Sequence, residues 1–248
     1  MVNVIDYPPG TSLLHRLNPV AKLALATGTI VAIFLGDTYA VLVGMIALTL
    51  ALAASAGVLP QMLRLLRLLL PIALLMLVIQ VLLVHAGTPV LGPVTDEGLI
   101  TGGKACLRLL GVALPLVLIL MVTKLNDLAN ACVEHLHIPY RYAFTFTTAL
   151  RFVPVFSQEM DAIMEAQTAR GVEYDSKNPI TRLRLMLPLC IPLLISSVGK
   201  ADATALAAEQ RGFYLRARGS SFKRYPFAAR DIAAIAVAVA LIAAGILF

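Results

Sequence analysis

The sequence predicts an all-α polytopic membrane protein, with about five transmembrane helices and a cytoplasmic region carried on two long amphipathic helices. Three observations predict it. Hydrophobic residues make up 59% of the 248 and charged residues 14%, with a mean hydropathy of +0.87. A soluble domain carries roughly 45–50% apolar and about 25% charged residues. Apolar stretches near the roughly 20 residues that a spanning helix needs occur near 20–36, 38–57, 68–86, 107–123 and 229–248. Finally, residues 124–230 hold fourteen of the twenty Lys and Arg residues.

The chain starts with a polar lead-in. Residues 1–18 contain Asp6, Pro8, Pro9, His15 and Arg16 in place of an apolar core, so no cleavable signal peptide is expected. Arg16 and Lys22 precede the first span, and Arg64 with Arg67 separates the second from the third. The other two loops carry Asp37, or Asp96 with Glu97. The positive-inside rule then puts the N-terminus, the 58–67 loop and the 124–226 region in the cytoplasm and Phe248 outside. Lys104 and Arg108, at the outer start of the fourth span, run against that pattern. The expected blocks are 1–123 (lead-in and four spans), 124–226 (cytoplasmic) and 227–248 (final span). Topology accounts for the net charge of +6, which gives no support for nucleic-acid binding.

The first cytoplasmic helix is expected over about 143–170, after Ile138-Pro139, where proline disfavours continued helix. Leu150, Val153, Phe156, Met160, Ile163 and Gln167 recur at spacings of three and four, an amphipathic stripe. Pro154 predicts a kink or break near Leu150. The second helix, about 180–211, is nearly uncharged from Leu185 to Val198. Those fourteen residues, with Pro188 and Pro192, read as an interfacial or partner-covered helix rather than a sixth span. Ser197, Ala201 and Ala205 belong to a small-residue run that lets another helix approach or simply reflects helix propensity.

Each of these helices ends in an arginine–glycine step: Ala169-Arg170-Gly171 and Gln210-Arg211-Gly212. A glycine just past the last helical residue adopts the left-handed conformation that stops a helix at little cost. The arginine before it sits at a helix tip, favoured there by the dipole and within reach of a partner.

Catalytic and ligand motifs are sparse. Ser197-Val198-Gly199-Lys200-Ala201 lacks the earlier glycine and the hydroxyl residue of a phosphate-binding loop. Glu134-His135-Leu136-His137 places its histidines on different helix faces, so a polar helix end before Pro139 fits it better than a metal site. Cys106, Cys132 and Cys190 are dispersed and read as small packing residues. Gln80 and His85 fall toward the outer end of the third span. The apolar centres of the spans contain no ionisable residue of the kind that ion-coupled carriers place there. No catalytic residue, metal ligand or cofactor is expected, and energy and substrate recognition are expected from other subunits.

Several segments carry a resemblance in order along the chain: Tyr7-Pro8-Pro9-Gly10-Thr11-Ser12-Leu13-Leu14-His15-Arg16-Leu17-Asn18-Pro19-Val20-Ala21-Lys22-Leu23; Ala149-Leu150-Arg151-Phe152-Val153-Pro154 with Glu159 and Ala166-Gln167-Thr168-Ala169-Arg170-Gly171; Ala208-Glu209-Gln210-Arg211-Gly212-Phe213; and, more loosely, Phe227-Ala228-Ala229-Arg230-Asp231. Together they resemble the transmembrane T component of bacterial energy-coupling factor (ECF) transporters. The resemblance implies a cell-membrane scaffold joining two cytoplasmic ABC ATPases to a membrane-embedded, substrate-binding S component for uptake of a vitamin or a transition metal such as cobalt or nickel. It implies that ATP is hydrolysed by the partners, not by this chain. It also implies that the tips Ala169, Arg170, Gly171 and Gln210, Arg211, Gly212 dock into the ATPases, Gln210 standing where the pattern has alanine. The faces carrying Leu150, Val153, Phe156, Met160, Ile163, Ser197, Ala201 and Ala205 would hold the S component. Two other readings are a conventional ABC permease, which the paired tips disfavour, and an intramembrane enzyme, for which the spans offer no polar cluster.

Overall fold

The computed structural model describes residues 10, 12–84, 88–91, 94–174, 178–216 and 223–247. Tyr7 to Pro9, Thr11, His85 and Phe248 lie outside them. The described chain is almost wholly helical: α1 Leu13–Arg16, α2 Pro19–Leu35, α3 Tyr39–Ser55, α4 Leu59–Leu83, α5 Asp96–Val122, α6 Leu125–His135, α7 Tyr140–Thr168, α8 Pro179–Met186, α9 Cys190–Gln210 and α10 Ala229–Leu247. A short antiparallel pair, β1 Pro89–Leu91 with β2 Val94–Thr95, precedes α5.

Among the described residues, Leu59–Leu83, Asp96–Val122, Leu183–Gln210 and Ala229–Leu247 are long and apolar enough to cross a membrane, and α2 and α3 are shorter apolar helices. Two spans begin earlier than their apolar stretches suggest. Helix α4 opens with proline in its first turn and carries Arg64 and Arg67 exposed on its N-terminal part. Helix α5 starts at Asp96 because Thr95 caps it: the Thr95 hydroxyl accepts from the Gly98 N–H at 3.2 Å, and Asp96 and Glu97 favour the dipole of the first turn.

The proline-based expectations need correcting at two places. Residues 185–198 are part of a 28-residue helical run, longer than the fourteen apolar residues suggest. Pro188 is absorbed into a 3-10 turn, Leu187–Leu189, and Pro192 falls in the first turn of α9, where its missing N–H has no helical partner to lose. Helix α7 runs unbroken through Pro154 for 29 residues, so the chain does not break near Leu150.

The chain forms two compact units, residues 1–137 with 225–248, and residues 138–224. Helix α6 and Tyr225 therefore pack with the first unit, whereas the charge pattern alone groups 124–226 together. In the first unit α5 lies against α2, α3 and α4, and α10 runs along α2. Small residues set the α2–α10 distance. A Cβ on Gly28 would stand 2.9 Å from the Ala238 Cβ, and one on Gly245 would stand 2.6 Å from the Ala32 carbonyl oxygen. Such close backbone approach is how helices gain packing in lipid, where no hydrophobic force draws them together. Met62, Leu114, Met121 and Val122 fill a core between α4 and α5. Lys104 and Arg108 contact Asp37 at 3.0 and 3.3 Å, so the two cations that run against the positive-inside pattern are locally balanced.

A buried polar knot closes the same unit. Asn18 caps α2 by accepting from the Val20 N–H at 3.0 Å, with Pro19 at the first helical position. Its own N–H donates to Asp231 at 2.7 Å, and its side-chain amide donates to the Tyr225 carbonyl at 2.8 Å. Asp231 also accepts from the Ala228 N–H at 2.8 Å. From α6, Glu134 accepts the Tyr225 N–H at 3.0 Å and His135 donates to the Tyr225 carbonyl at 2.7 Å. The Tyr225 hydroxyl donates to Asp127 at 2.9 Å, and burial with that neighbouring carboxylate pushes its pKa well above the ordinary phenol range. Lys22, buried in α2, donates to the carbonyls of His15 and Val122, each at 3.1 Å. The chain leaves this unit just after His137, which holds a left-handed backbone at φ 58°, and returns at Tyr225. The knot thus fixes the departing and returning segments to each other.

Two substitutions test this packing. Gly245→Leu drives a side chain into the α2 backbone and should destabilise the protein by about 1–3 kcal/mol, as overpacking does, read as a lower melting temperature in detergent. Asp231→Ala strips the acceptor from two N–H groups and should cost about 1–3 kcal/mol for each donor left unsatisfied. Asp231→Asn, which keeps one carbonyl acceptor, should cost less in the same measurement.

Candidate functional site

The second unit carries both arginine–glycine steps, and the backbone explains each. Gly171 sits at φ 89°. Its N–H donates to the Thr168 carbonyl at 2.9 Å, and the Val172 N–H reaches back to Gln167 at 3.1 Å. Those two bonds together make a Schellman stop, with Arg170 as the residue immediately before the left-handed glycine. Gly212 sits at φ 71°, and its N–H donates to the Glu209 carbonyl at 2.9 Å. Both guanidiniums are exposed, and neither has a hydrogen-bond or ion-pair partner among the described residues. Ala169 and Gln210, also exposed, complete the two tips.

The tips sit at opposite ends of α7. Arg170 follows its C-terminus. The other tip is brought to the start of α7 by Phe213, whose ring centroid lies 5.6 Å from that of Tyr140 and 4.9 Å from that of Phe144. Arg216 then stacks its guanidinium 3.5 Å from the Tyr140 ring centroid, a cation–π contact. At 1.5 Å per residue, the length of α7 sets the two steps roughly 30–40 Å apart. Sequence reading flagged both arginines but not this anchor, because Tyr140, Phe144, Phe213 and Arg216 show no periodic pattern. The aromatic residue immediately after Gly212 is the one local signal.

Helices α7 and α9 touch where Glu159 meets Ser196 and Lys200. Lys200 donates to Glu159 at 2.6 Å and to the Ser196 hydroxyl at 2.9 Å, while that hydroxyl donates to the other Glu159 oxygen. The Lys200 and Ser196 hydrogen bonds hold the Glu159 carboxyl below the ordinary carboxylate range. A carboxylate with a lowered pKa keeps its contribution above the ordinary range and loses it as pH falls through the lowered value.

The residues expected to face a membrane partner divide. Within this unit Leu150, Phe156, Met160, Ile163 and Ser197 are partly covered, whereas Val153, Ala201 and Ala205 are exposed. The more prominent apolar surface of α9 lies elsewhere, on Ile191, Leu194, Ile195 and Val198, exposed by 54–70%. Glu134 and His135, weighed above against a metal site, bond to the Tyr225 backbone, and no metal-binding group of three His, Cys, Asp or Glu occurs among the described residues.

Comparison with known proteins agrees with the pattern of the chain. The family profile described as CbiQ, cobalt transport protein, matches residues 10–220. The chain is 31% identical to the energy-coupling factor transporter transmembrane protein EcfT of Thermosediminibacter oceani, over 98% of this chain and 96% of that protein. It is 36% identical to EcfT of Acidaminococcus fermentans, over 83% and 81%, and 28% identical to EcfT of Bacillus subtilis, over 96% and 94%. Helical membrane architecture, ordered motifs and similarity along nearly the whole length lead to one conclusion: this chain belongs to the family of transmembrane T components of energy-coupling factor transporters.

Proposed function

We propose that this non-catalytic membrane subunit couples two cytoplasmic ABC ATPases to a separate, membrane-embedded S component that binds the transported vitamin or transition-metal ion. The observation that carries the reading is the pair of exposed arginines, without partners among the described residues, set at opposite ends of one 29-residue helix. Arginine is permanently charged and presents five donors in a rigid fork, which suits a carboxylate or a set of carbonyls on a partner. Two such tips roughly 30–40 Å apart fit one contact on each of two ATPases better than two contacts on one.

In this reading Arg170 and Arg211 insert into the ATPases, and Ala169, Gly171, Gln210 and Gly212 shape the tips. Gln210 adds a polar side chain where the family pattern has alanine, so the second contact is the more polar one. Closing of the ATPase pair on nucleotide moves the tips, and α7 and α9 carry that motion to the S component. The exposed Val153 and the Ile191–Val198 face of α9 are the surface offered to it, with the adjoining Leu150, Phe156, Met160, Ile163, Ser197, Ala201 and Ala205. The N-terminus and residues 124–226 are placed in the cytoplasm and the C-terminus outside, on the distribution of Lys and Arg.

Two experiments follow. Arg170→Glu with Arg211→Glu should leave the protein in the membrane but unable to retain its ATPases on purification, since removing one partner of a buried interfacial charge pair costs about 2–5 kcal/mol. Full ATPase recovery with the double variant sinks the docking assignment. Val153→Asp with Ile195→Asp should keep the ATPases and lose the S component, checked by co-purification of each subunit. Retention of the S component would move its binding surface elsewhere.

A further inference from the structure

The two arginine–glycine steps lie forty-one positions apart, and that register pairs more than the tips. It places Asp161 on Asp202, Ala162 on Ala203, Ala166 on Ala207, and Glu159 on Lys200. Glu159 and Lys200 are also the residues that meet where α7 touches α9. Contact between register-equivalent positions puts the meeting point at the same distance along the chain from each arginine, while Ser196, whose register mate is Val155, bonds to both members of the pair. From this contact each chain continues eleven residues to its arginine, an arm of about 16 Å in helix.

Between α7 and α9 themselves little else fixes the crossing; the Phe213 anchor on Tyr140 and Phe144 holds the segment beyond α9. Among the described residues Ala143 is the one buried residue of α7, and α9 has none. The Glu159–Ser196–Lys200 ring is therefore the specific contact between the arms: three side chains, each bonded to the other two, with the Lys200 and Glu159 side chains 35% and 20% exposed. Charge-assisted bonds of this kind are short and directional, so they resist sliding of one helix along the other, which apolar contact would permit.

We propose that the Glu159–Lys200 pair is the fulcrum of this unit, a positioning pair midway along the chain between the two arginine tips that, together with the Phe213 anchor, sets their separation. The proposal rests on the docking reading only for its purpose: a fulcrum midway between the tips presents one of them to each ATPase. The geometry stands without them.

The test measures the separation directly in the full-length chain in lipid nanodiscs. Cys106, Cys132 and Cys190 are replaced by serine or alanine, and spin labels are attached at Glu173→Cys and Tyr214→Cys, exposed positions beyond each tip. Pulsed electron paramagnetic resonance should give one narrow distance for the parent. Lys200→Met and Glu159→Gln should each broaden or shift that distance, and the exchange Glu159→Lys with Lys200→Glu should restore it, as a loss of general stability would not be restored. An unchanged narrow distance in both single variants overturns the fulcrum, as does an exchange variant that elutes as a folded protein yet keeps the broadened distance. If one single variant fails to fold, the other decides. Because no ATPase is present, the result is independent of the outcome with Arg170→Glu and Arg211→Glu. If the docking assignment fails, the fulcrum is still decided here.

Discussion

Everything in the second unit depends on where α7 and α9 stop. A helix of this length would continue into the following polar segment unless something reversed the backbone, and Gly171 and Gly212 do so at positive φ. An L-residue forced into that conformation costs about 1–2 kcal/mol, so glycine fixes the stop to one residue. The stop leaves the preceding arginine at the tip with its side chain free. Because Phe213 packs on Tyr140 and Phe144, the two stops lie at opposite ends of α7 instead of side by side. Length, glycine position and one aromatic anchor together convert two similar sequence motifs into a pair of separated, exposed tips.

The first unit works by a different means. Its helices approach through glycine and alanine, with Gly28 and Gly245 bringing α10 onto α2, and a knot of polar groups is gathered around Tyr225. The knot joins Asn18 from the lead-in to Asp231 at the start of α10, and α6 holds the segment between them. Buried polar groups of this kind are costly unless every member is paired, and here the N–H and carbonyl of Tyr225, its hydroxyl and both Asp231 oxygens have partners. The chain crosses between the units at His137 and Tyr225, beside this rigid assembly.

The membrane class and the two tips were legible because their signals are local: apolar run length, Lys and Arg placement, and glycine after a helical stripe. Asn18-Pro19 and Asp231 were visible as parts of motifs, yet their contact across 213 positions leaves no trace in periodicity. Tyr225 gave no signal at all, since a single tyrosine in a polar loop reads as surface. Proline counting misjudged α9 because Pro188 and Pro192 fall where a helix begins, and α7 because its helix continues through the interior Pro154. The small-residue run Ser197, Ala201 and Ala205 drew more notice than Ile191, Leu194, Ile195 and Val198, whose exposure follows from what the fold leaves uncovered. The link between Glu159 and Lys200 was hidden for the same reason, although the forty-one-residue register was already present in the sequence.

The central claim is that each tip meets a different ATPase. A photo-crosslinking amino acid placed at Glu173, and separately at Tyr214, in the assembled transporter measures it most directly. The account predicts that each position yields an adduct with one ATPase subunit, and that a chain carrying both crosslinkers yields an adduct with two. Absence of any ATPase adduct from both positions, in a complex from which the ATPases co-purify, would contradict it.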